Sequence, residues 1–494
     1  MSRVAASVSA AVGFSFLAVC ACVLVLAPSC GGNAPTAPLT QDELRDPAAC
    51  QSCHPDHVRE WSGSMHAYAS EDPVFRAMNK RAQRETGGAL GDFCVKCHAP
   101  MAVRDGLTTD GLNLDQLPAS AKGVTCYFCH SAESVDGTHN NPLKLATDGS
   151  MFASIADPVA GAPHKSTYGT LHDPTQVDSA HACGSCHDIV NPLGAPVERT
   201  FQEWQGSLFA VPPMGQTCSQ SCHVDERKAP IANTTAKVRA FHSHTFAAVD
   251  VALTDFPEKD AQLAQAQKVL DTTFQWAICL DPVRKQVTVT LDNVANGHGF
   301  PSGATPDRRA WIELTAYQGD NVIYQSGHVG PNQTVETLAD PDLWLIRDCI
   351  YDVQKQETMF FWQAASLVAN QFPAPVMPVL SDPGSFTKSH LKKIYPADGA
   401  SGLDQLPDRV TLSVHLKPIG DDILAALVAS GDLDPSLPPR VPTHELLGGM
   451  KEWTQAKSKP WTGPDGIVQY CIAPPNYNST PNLAKSFAHC PAQM

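Results

Sequence analysis

The sequence predicts two regions of different architecture, an N-terminal region of short helices and loops and a C-terminal β-sandwich-like domain. Cysteines and histidines cluster repeatedly between residues 50 and 223, whereas strand-like runs of β-branched residues begin only after residue 270. The 40 prolines among 494 residues indicate much irregular structure and few long helices. Because the chain is longer than most single domains and 43% hydrophobic, we expect at least two folded globular units.

Residues 1–30 have the pattern of a targeting segment. Arg3 precedes an uncharged apolar stretch over residues 4–27, and Ser29-Cys30-Gly31-Gly32 follows. We interpret this pattern as an export signal that ends in a lipoprotein-type cysteine, so that Cys30 carries a lipid anchor. The alternative is a plain signal or an uncleaved membrane helix, since about 20 apolar residues span a bilayer. Both alternatives predict that the folded part, which follows a linker over residues 31–45, lies outside the cytoplasm.

Four stretches share the pattern Cys-x-x-Cys-His. They are Cys50-Gln51-Ser52-Cys53-His54, Cys94-Val95-Lys96-Cys97-His98, Cys126-Tyr127-Phe128-Cys129-His130 and Cys183-Gly184-Ser185-Cys186-His187. Composition alone predicts roughly 0.02 occurrences, so chance does not explain four. Cysteines three apart lie on one face of a helical turn, so both thiols can add to the two vinyl groups of one haem. The histidine that follows then supplies the proximal iron ligand.

A fifth site, Cys218-Ser219-Gln220-Ser221-Cys222-His223, has one extra residue between its cysteines. Positions four apart still share a helix face, so we expect a fifth covalently attached haem c. The alternative for this site is a disulfide or a free cysteine pair beside a surface histidine. Structural zinc also uses paired cysteines, but zinc does not require a histidine directly after the second cysteine, which occurs here five times.

The five motifs define a predicted domain over residues 46–254 with the fold class of a multihaem cytochrome c, mostly short helices and loops around haems. Roughly forty residues per haem are too few to build an ordinary core around each one, so we expect the haems to form much of the interior. Short helices are expected over residues 55–69 and 72–84 and at each motif.

The second predicted domain, the β-sandwich-like domain, spans residues 255–430 and precedes a Pro-rich extension over residues 431–494. Expected helices cover residues 259–272 and 421–429, and expected strands cover residues 286–291, 310–317, 322–325 and 410–416. Cys279, Cys349, Cys471 and Cys490 are expected to form disulfides in an oxidising compartment. Proximity in sequence favours Cys471 with Cys490, although the sequence leaves the pairing open.

Eight histidines before residue 250 lie outside the motifs and could supply the sixth iron ligands: residues 57, 66, 139, 164, 172, 181, 242 and 244. A haem with two histidine ligands suits electron transfer, whereas an open position permits substrate binding. For each of these histidines, the alternative is an ordinary surface residue.

Residues 46–250 resemble the cytochrome c-554-like multihaem family. The resemblance lies in Trp61, Ser64-Met65-His66, Asp72-Pro73-Val74-Phe75, Cys97-His98-Ala99-Pro100-Met101, Gly123-Val124-Thr125-Cys126, Cys186-His187-Asp188 and His244-Thr245-Phe246. It implies distal iron ligands at His66, His244, His164, His172 and His139. The inserted residue of the fifth motif departs from the family pattern and leaves the ligation of that haem open.

The second domain also contains a loop that resembles related cytochromes, Asn296-Gly297-His298-Gly299-Phe300-Pro301-Ser302-Gly303. Three roles are open for His298: a distal ligand to a haem, a ligand to another metal, or a residue that only orders a turn.

These features predict an exported electron carrier that passes electrons through covalently bound haems to other redox proteins, anchored to the membrane through Cys30 and facing the periplasm or the cell exterior. The first alternative is a haem-based reductase of a small nitrogen or sulfur species that uses one five-coordinate haem. The second is a binding module, in which the β domain recognises a partner or surface. A net charge of −15 and the lack of a basic stripe exclude a nucleic-acid partner.

Overall fold

The structure is a computed structural model that describes residues 37–493 apart from 159–162, 221, 380, 383–384, 386–387, 398–400, 464, 474–481 and 485–489. The expected targeting segment and its Cys30 lie outside the described residues. No helix within the described ranges is both long enough and apolar enough to cross a bilayer.

Short helices dominate the N-terminal region, as the sequence predicts. The α-helices of the described chain are α1 (Gln41–Arg45), α2 (Pro47–Gln51), α3 (Pro55–Ser62), α4 (Met65–Tyr68), α5 (Pro73–Glu85), α6 (Val95–His98), α7 (Pro100–Arg104), α8 (Cys126–His130), α9 (Ala180–Gly184), α10 (Thr200–Gln205), α11 (Lys259–Leu270) and α12 (Asp421–Ala429). The helix expected over residues 55–69 is interrupted at Gly63, which caps α3, while the Ser64 side chain accepts a hydrogen bond from Ala67 N at the start of α4.

The strands of the N-terminal region form small two-stranded pairs. They are β1 (Ala132–Val135) with β2 (Leu143–Leu145), β3 (Ser150–Ala153) with β4 (Lys165–Tyr168), β5 (Ile189–Val190) with β6 (Pro196–Glu198), and β7 (Glu226–Pro230) with β8 (Val238–His242). Of these four described pairs, β3 with β4 is parallel and the other three are antiparallel. These ribbons connect the motif helices rather than build a sheet.

Larger sheets make up the C-terminal region. Its strands are β9 (Gln275–Asp281), β10 (Gln286–Asp292), β11 (Arg309–Gln318), β12 (Asn321–Ser326), β13 (Trp344–Ile346), β14 (Cys349–Tyr351), β15 (Glu357–Thr358), β16 (Ser366–Val368), β17 (His390–Tyr395), β18 (Arg409–Lys417), β19 (His444–Glu445), β20 (Lys451–Thr454), β21 (Lys459–Thr462), β22 (Val468–Ile472) and β23 (Asn482–Leu483). The four strands expected from the sequence correspond to β10, β11, β12 and β18 and are confirmed.

Two six-stranded sheets share one apolar core. One sheet has the order β21-β22-β9-β10-β17-β23, and the other has the order β12-β11-β18-β19 with β13 beside β11 and β20 beside β18. Side chains such as Ile278 and Val289 of the first sheet and Ile312 and Val414 of the second belong to the same buried cluster. Strands β19 to β22 come from the segment expected to be a Pro-rich extension, and they pair within these sheets. The sandwich-like packing stays a prediction.

The two regions pack against each other through α5 and α12. Val74 and Ala77 of α5 share a buried cluster with Ile423 and Leu427 of α12. At the edge of this contact, the two terminal nitrogens of the Arg84 guanidinium each donate to one oxygen of the Asp432 carboxylate at 2.6 Å. This bidentate pair lowers the pKa of Asp432 to about 2, mainly through the hydrogen bond from Arg84.

The disulfides correct the sequence expectation. Cys279 bonds to Cys471, and Cys349 bonds to Cys490, so the pairing of Cys471 with Cys490 was wrong. The physical reason is sheet register, because Cys279 of β9 and Cys471 of β22 are direct partners on adjacent strands. Proximity along the sequence was therefore a poorer guide than proximity across the sheet.

The Cys349–Cys490 bond ties the C-terminal segment to β14 across 141 residues of sequence. Replacing both cysteines by serine should lower the free energy of unfolding by about 2–4 kcal/mol, because the unfolded chain loses a long-loop constraint. Denaturant unfolding of the C-terminal region measures this effect. A non-reducing peptide map provides the check on the pairing, and a peptide that links Cys471 to Cys490 would contradict the structure.

Candidate functional site

The five motifs lie within one connected part of the N-terminal region. Helices α2, α6, α8 and α9 each carry one or more residues of the first four motifs, and the fifth motif lies in the chain that follows α10. None of the ten motif cysteines is in a disulfide. The thiols therefore remain available for thioether bonds.

Each motif histidine directs one ring nitrogen at a fixed acceptor. In four motifs the acceptor of Nδ1 is a backbone carbonyl oxygen: that of Ile231 for His54 (2.7 Å), Ala69 for His98 (3.0 Å), Phe152 for His130 (2.7 Å) and Ala247 for His223 (2.7 Å). In the remaining motif, Nδ1 of His187 lies 3.2 Å from Oε1 of Glu198. A carbonyl oxygen can only accept, so Nδ1 carries the proton and Nε2 keeps its lone pair. This is the tautomer that a proximal iron ligand requires.

Four motif histidines face a second imidazole at nearly the same distance. The ring centroids are 6.3 Å apart for His54 and His164, 6.4 Å for His187 and His66, 6.1 Å for His130 and His244, and 6.3 Å for His223 and His298. An iron bound by two imidazoles at metal–nitrogen distances of about 2 Å holds the ring centroids roughly 6.3 Å apart. Four of the six distal candidates named from the sequence therefore lie opposite a motif histidine.

Three of the four opposing imidazoles, those of His66, His244 and His164, are neutral near pH 7. Burial lowers the pKa of His66 and of His244 to about 3 and that of His164 to about 4. The pKa of His223 is likewise lowered by burial, to about 4. A neutral ring is required for metal binding.

The pKa of His187 shifts in the opposite direction from those of these four histidines. Burial alone would lower its pKa, but the hydrogen bond to Glu198 and the charge of that carboxylate raise it to about 9.

His98 has a different neighbour. The Phe75 ring stacks on it at a centroid distance of 3.8 Å and an interplanar angle of 1°. Among the described residues, no second histidine ring is paired with His98 in the way that the other four motif histidines are paired.

The remaining two candidates are His172 and His139. The His172 ring lies 5.8 Å from the His130 ring, with an interplanar angle of 20°. The Nε2 of His172 donates to the Cys129 oxygen at 2.8 Å, so the nitrogen that would bind iron is already hydrogen-bonded to the backbone. His139 is exposed and has its Nδ1 2.9 Å from the Thr138 hydroxyl. His130 therefore has two imidazole neighbours, His172 and His244, whereas no ring contact joins His139 to a motif histidine in the described part of the chain.

Several residues that carry the family resemblance hold His66 in place. The Trp61 indole donates to the Val124 oxygen at 2.8 Å, and Val124 N donates to the His66 oxygen at 2.8 Å. Gly123 has a φ of +64°, and a Cβ at this position would lie 2.7 Å from the His66 oxygen. Only glycine therefore allows the segment before the third motif to pack directly against α4.

Glu203 of α10 holds the loop that presents His298. Its carboxylate accepts hydrogen bonds from Gly299 N at 3.1 Å, from the Ser302 hydroxyl at 2.7 Å and from the Gln371 amide at 2.5 Å. The opposite side of the loop is bonded through Asn293, whose amide donates to the His298 oxygen at 3.0 Å. The imidazole from the β domain is thus fixed against the fifth motif by contacts from both regions. Nothing in the sequence indicated a role for Glu203.

Thiols of different motifs are also in contact with one another. Side-chain hydrogen bonds join Cys50 with Cys126, Cys97 with Cys186, and Cys183 with Cys218. The first motif is therefore adjacent to the third, the second to the fourth, and the fourth to the fifth.

This donor set fits covalently bound haem. Each motif combines two thiols with an imidazole whose Nδ1 is directed at a fixed acceptor, and four of the five have a second imidazole on the far side. Among the described residues, no group of three or more His, Cys, Asp or Glu side chains is arranged to hold a metal ion on its own.

Comparison with known proteins gives two findings. Residues 49–131, which include the first three motifs, match the family model described as cytochrome c554 and c-prime. The structure is similar to the crystal structure of a penta-heme cytochrome c552 from Thermochromatium tepidum, with a TM-score of 0.57 and 20% identity, over 83% of this chain and 99% of that chain. No curated protein matches the sequence.

At 20% identity the structural likeness shows the fold, and the family match supplies the sequence relationship over residues 49–131. The findings therefore support a cytochrome c-554-like relationship for residues 49–131 and the fold of a multihaem cytochrome c for the chain.

Proposed function

We propose that this protein is an exported five-haem c-type cytochrome that transfers electrons between redox partners. Multihaem cytochromes of this family support electron transfer as the general role. The observation that carries the finer proposal is the set of four imidazole pairs whose centroids lie 6.1 to 6.4 Å apart. Haem iron bound between two histidines supplies reversible one-electron chemistry.

The proposed ligand set follows from these pairs. The thioether residues are the cysteines 50, 53, 94, 97, 126, 129, 183, 186, 218 and 222, and the proximal ligands are the histidines 54, 98, 130, 187 and 223. The proposed distal ligands are His164 for the first motif, His244 for the third, His66 for the fourth and His298 for the fifth. His172 lies 5.8 Å from the His130 ring but is left out because its Nε2 is hydrogen-bonded to the Cys129 oxygen, and His139 is left out because its ring contacts no motif histidine among the described residues.

The contacts between motif thiols support a continuous route for electrons. They connect the first motif to the third and the fourth motif to both the second and the fifth. Cys129 of the third motif interacts electrostatically with Cys183 of the fourth, which joins the two groups. The fourth motif, around Cys183 and His187, is therefore the junction of the proposed route.

Export is part of this proposal. Haem attachment to Cys-x-x-Cys-His takes place outside the cytoplasm, and two disulfides are typical of an oxidising compartment. A lipid anchor at Cys30 would then keep the protein at a membrane, where it could exchange electrons with other redox proteins. A net charge of −15 favours partners with a basic docking face.

A second candidate function is favoured by His98. The partner ring of this histidine is Phe75 rather than another imidazole. An iron held by His98 would then keep an open position, as a reductase of a small nitrogen or sulfur species requires. The position would lie at the end of the route, because the second motif contacts the fourth through Cys97 and Cys186.

The proposed haem count is tested by cysteine replacement. The purified exported protein should give five haems per chain by pyridine haemochrome and by intact mass. Replacing both Cys218 and Cys222 by serine should reduce the count to four, because one porphyrin loses both thioether bonds. Replacing Cys349 and Cys490, which form a disulfide, is the matched control and should leave five. A count of four in the unmodified protein would remove the fifth site.

The role of His298 is tested by spin state. His298→Ala should convert one haem in five from low spin to high spin, because the imidazole opposite His223 at 6.3 Å is lost. Electron paramagnetic resonance of the oxidised protein measures the change. His139→Ala is the control, since His139 opposes no motif histidine among the described residues, and its spectrum should match the unmodified protein. An unchanged low-spin signal in His298→Ala would exclude His298 as a ligand.

The second candidate function is tested with a small ligand. Nitric oxide added to the reduced protein should alter the absorption of one haem in five, because only the His98 station lacks an opposing imidazole in the described residues. Replacing Cys94 and Cys97 by serine should abolish this response while the four other haems remain. If the full protein does not respond to nitric oxide or cyanide, the reductase hypothesis is wrong.

A further inference from the structure

One motif histidine differs from the other four in its hydrogen-bond acceptor. The Nδ1 atoms of His54, His98, His130 and His223 donate to backbone carbonyl oxygens. The Nδ1 of His187 donates to the Glu198 carboxylate at 3.2 Å. The comparison is internal to this chain, because all five histidines follow the same kind of cysteine pair.

The local fold brings Glu198 back onto the motif. Strand β5 begins at Ile189, two residues after His187, and β6 ends at Glu198, with Ile189 and Glu198 as direct register partners. The Glu198 side chain is only 17% exposed, so water competes weakly for its oxygens. The two-stranded ribbon of β5 and β6 thus places the Glu198 carboxylate beside the His187 imidazole.

The nearby cations have other partners. The Arg199 Nε lies 2.9 Å from the Asp188 carboxylate. Arg308 donates to both oxygens of Asp250, at 2.6 and 2.7 Å. Neither guanidinium therefore replaces His187 as the hydrogen-bond partner of Glu198.

A carboxylate acceptor at Nδ1 changes the strength of the imidazole as a metal ligand. It attracts the Nδ1 proton more strongly than a carbonyl oxygen does, so Nε2 becomes a more basic ligand. A more basic ligand and a nearby negative charge both stabilise oxidised iron relative to reduced iron. Hydrogen bonding around the ligand is one of the main ways in which a protein sets the reduction potential of a haem.

We propose that Glu198 is a positioning residue that lowers the reduction potential of the haem bound by Cys183, Cys186 and His187. This inference rests on the proposed function, because it requires a haem at the fourth motif. That motif is the junction, since Cys183 contacts Cys218 and Cys186 contacts Cys97. A low potential at the junction keeps electrons on the surrounding haems, so each electron passes through the fourth station without remaining there.

Glu198→Gln is the sharpest test, because glutamine keeps an acceptor oxygen near Nδ1 and removes the charge. Potentiometric titration of the full five-haem protein should show one haem whose reduction equilibrium constant rises about tenfold, which corresponds to ~59 mV for one electron. Glu198→Asp keeps the charge but shortens the side chain, and should shift the same haem by less in the same direction. If the Glu198→Gln protein does not acquire its haems, the Glu198→Asp protein replaces it in this test.

Asp56→Asn is the matched control for loss of a carboxylate near a motif. Asp56 lies two residues after His54, and its carboxylate is paired with Arg227 at 3.3 Å rather than with a motif imidazole. Its removal should leave the five reduction potentials in place, apart from a shift well below that of Glu198→Gln.

A second substitution identifies the haem whose reduction potential shifts. His66→Met exchanges the imidazole opposite His187 for a thioether, which raises the potential of the same haem. In the double variant, the two shifts should add on one titration step. The inference is overturned if Glu198→Gln leaves all five potentials unchanged, or moves a step that His66→Met does not move.

The outcome also separates this inference from the proposed function. A protein with five haems and low-spin signals but unchanged potentials in Glu198→Gln overturns the role of Glu198 alone. A protein without a haem at Cys183 and Cys186, shown by peptide mass, overturns both.

Discussion

The hydrogen bond from Nδ1 of each motif histidine is the interaction on which the rest of the arrangement depends. It fixes the tautomer and the ring orientation, and both determine where Nε2 points. The acceptor is supplied by a different part of the chain in several cases, such as Ile231 for His54 and Ala69 for His98. Each proposed haem station is thus assembled from separate segments, and the position of its proposed iron-binding atom is determined by tertiary structure.

The β domain is connected to these stations by more than a linker. Glu203 accepts three hydrogen bonds from residues 299, 302 and 371, and the cluster between α5 and α12 buries apolar side chains from both regions. A side chain in a loop between domains would ordinarily be too mobile to serve as a metal ligand. The Glu203 carboxylate removes that mobility from the loop that carries His298, which explains why a polar residue is held at this contact.

The attachment sites can be proposed from the sequence because their chemistry is local, with two thiols and an imidazole within six residues. The sequence also named His66, His164, His244 and His298 among its candidates, but it could not assign each one to a motif, because opposition of two rings is set by folding. His172 was named with them, and only the structure shows that its Nε2 is bonded to a backbone oxygen. Glu198 and Glu203 had no sequence signal, since a single glutamate in a short strand or helix has no distinctive spacing. The disulfides were misassigned for the same reason, because Cys279 and Cys471 are neighbours only through strand register.

The five proposed stations differ in the rings and hydrogen-bond acceptors around their histidines, and these differences depend on where each station lies. On the proposed function, the first and third stations each pair two imidazoles and have neutral carbonyl acceptors behind the proximal ring. The fourth has a carboxylate behind its ring and touches the second and fifth stations, and the second has a phenylalanine beside its histidine. A chain of identical stations would have no preferred end for electrons. In the described part of the chain, the carboxylate behind His187 and the phenylalanine beside His98 make the fourth and second stations distinct, so on the proposed function a few side chains set the differences between the haems.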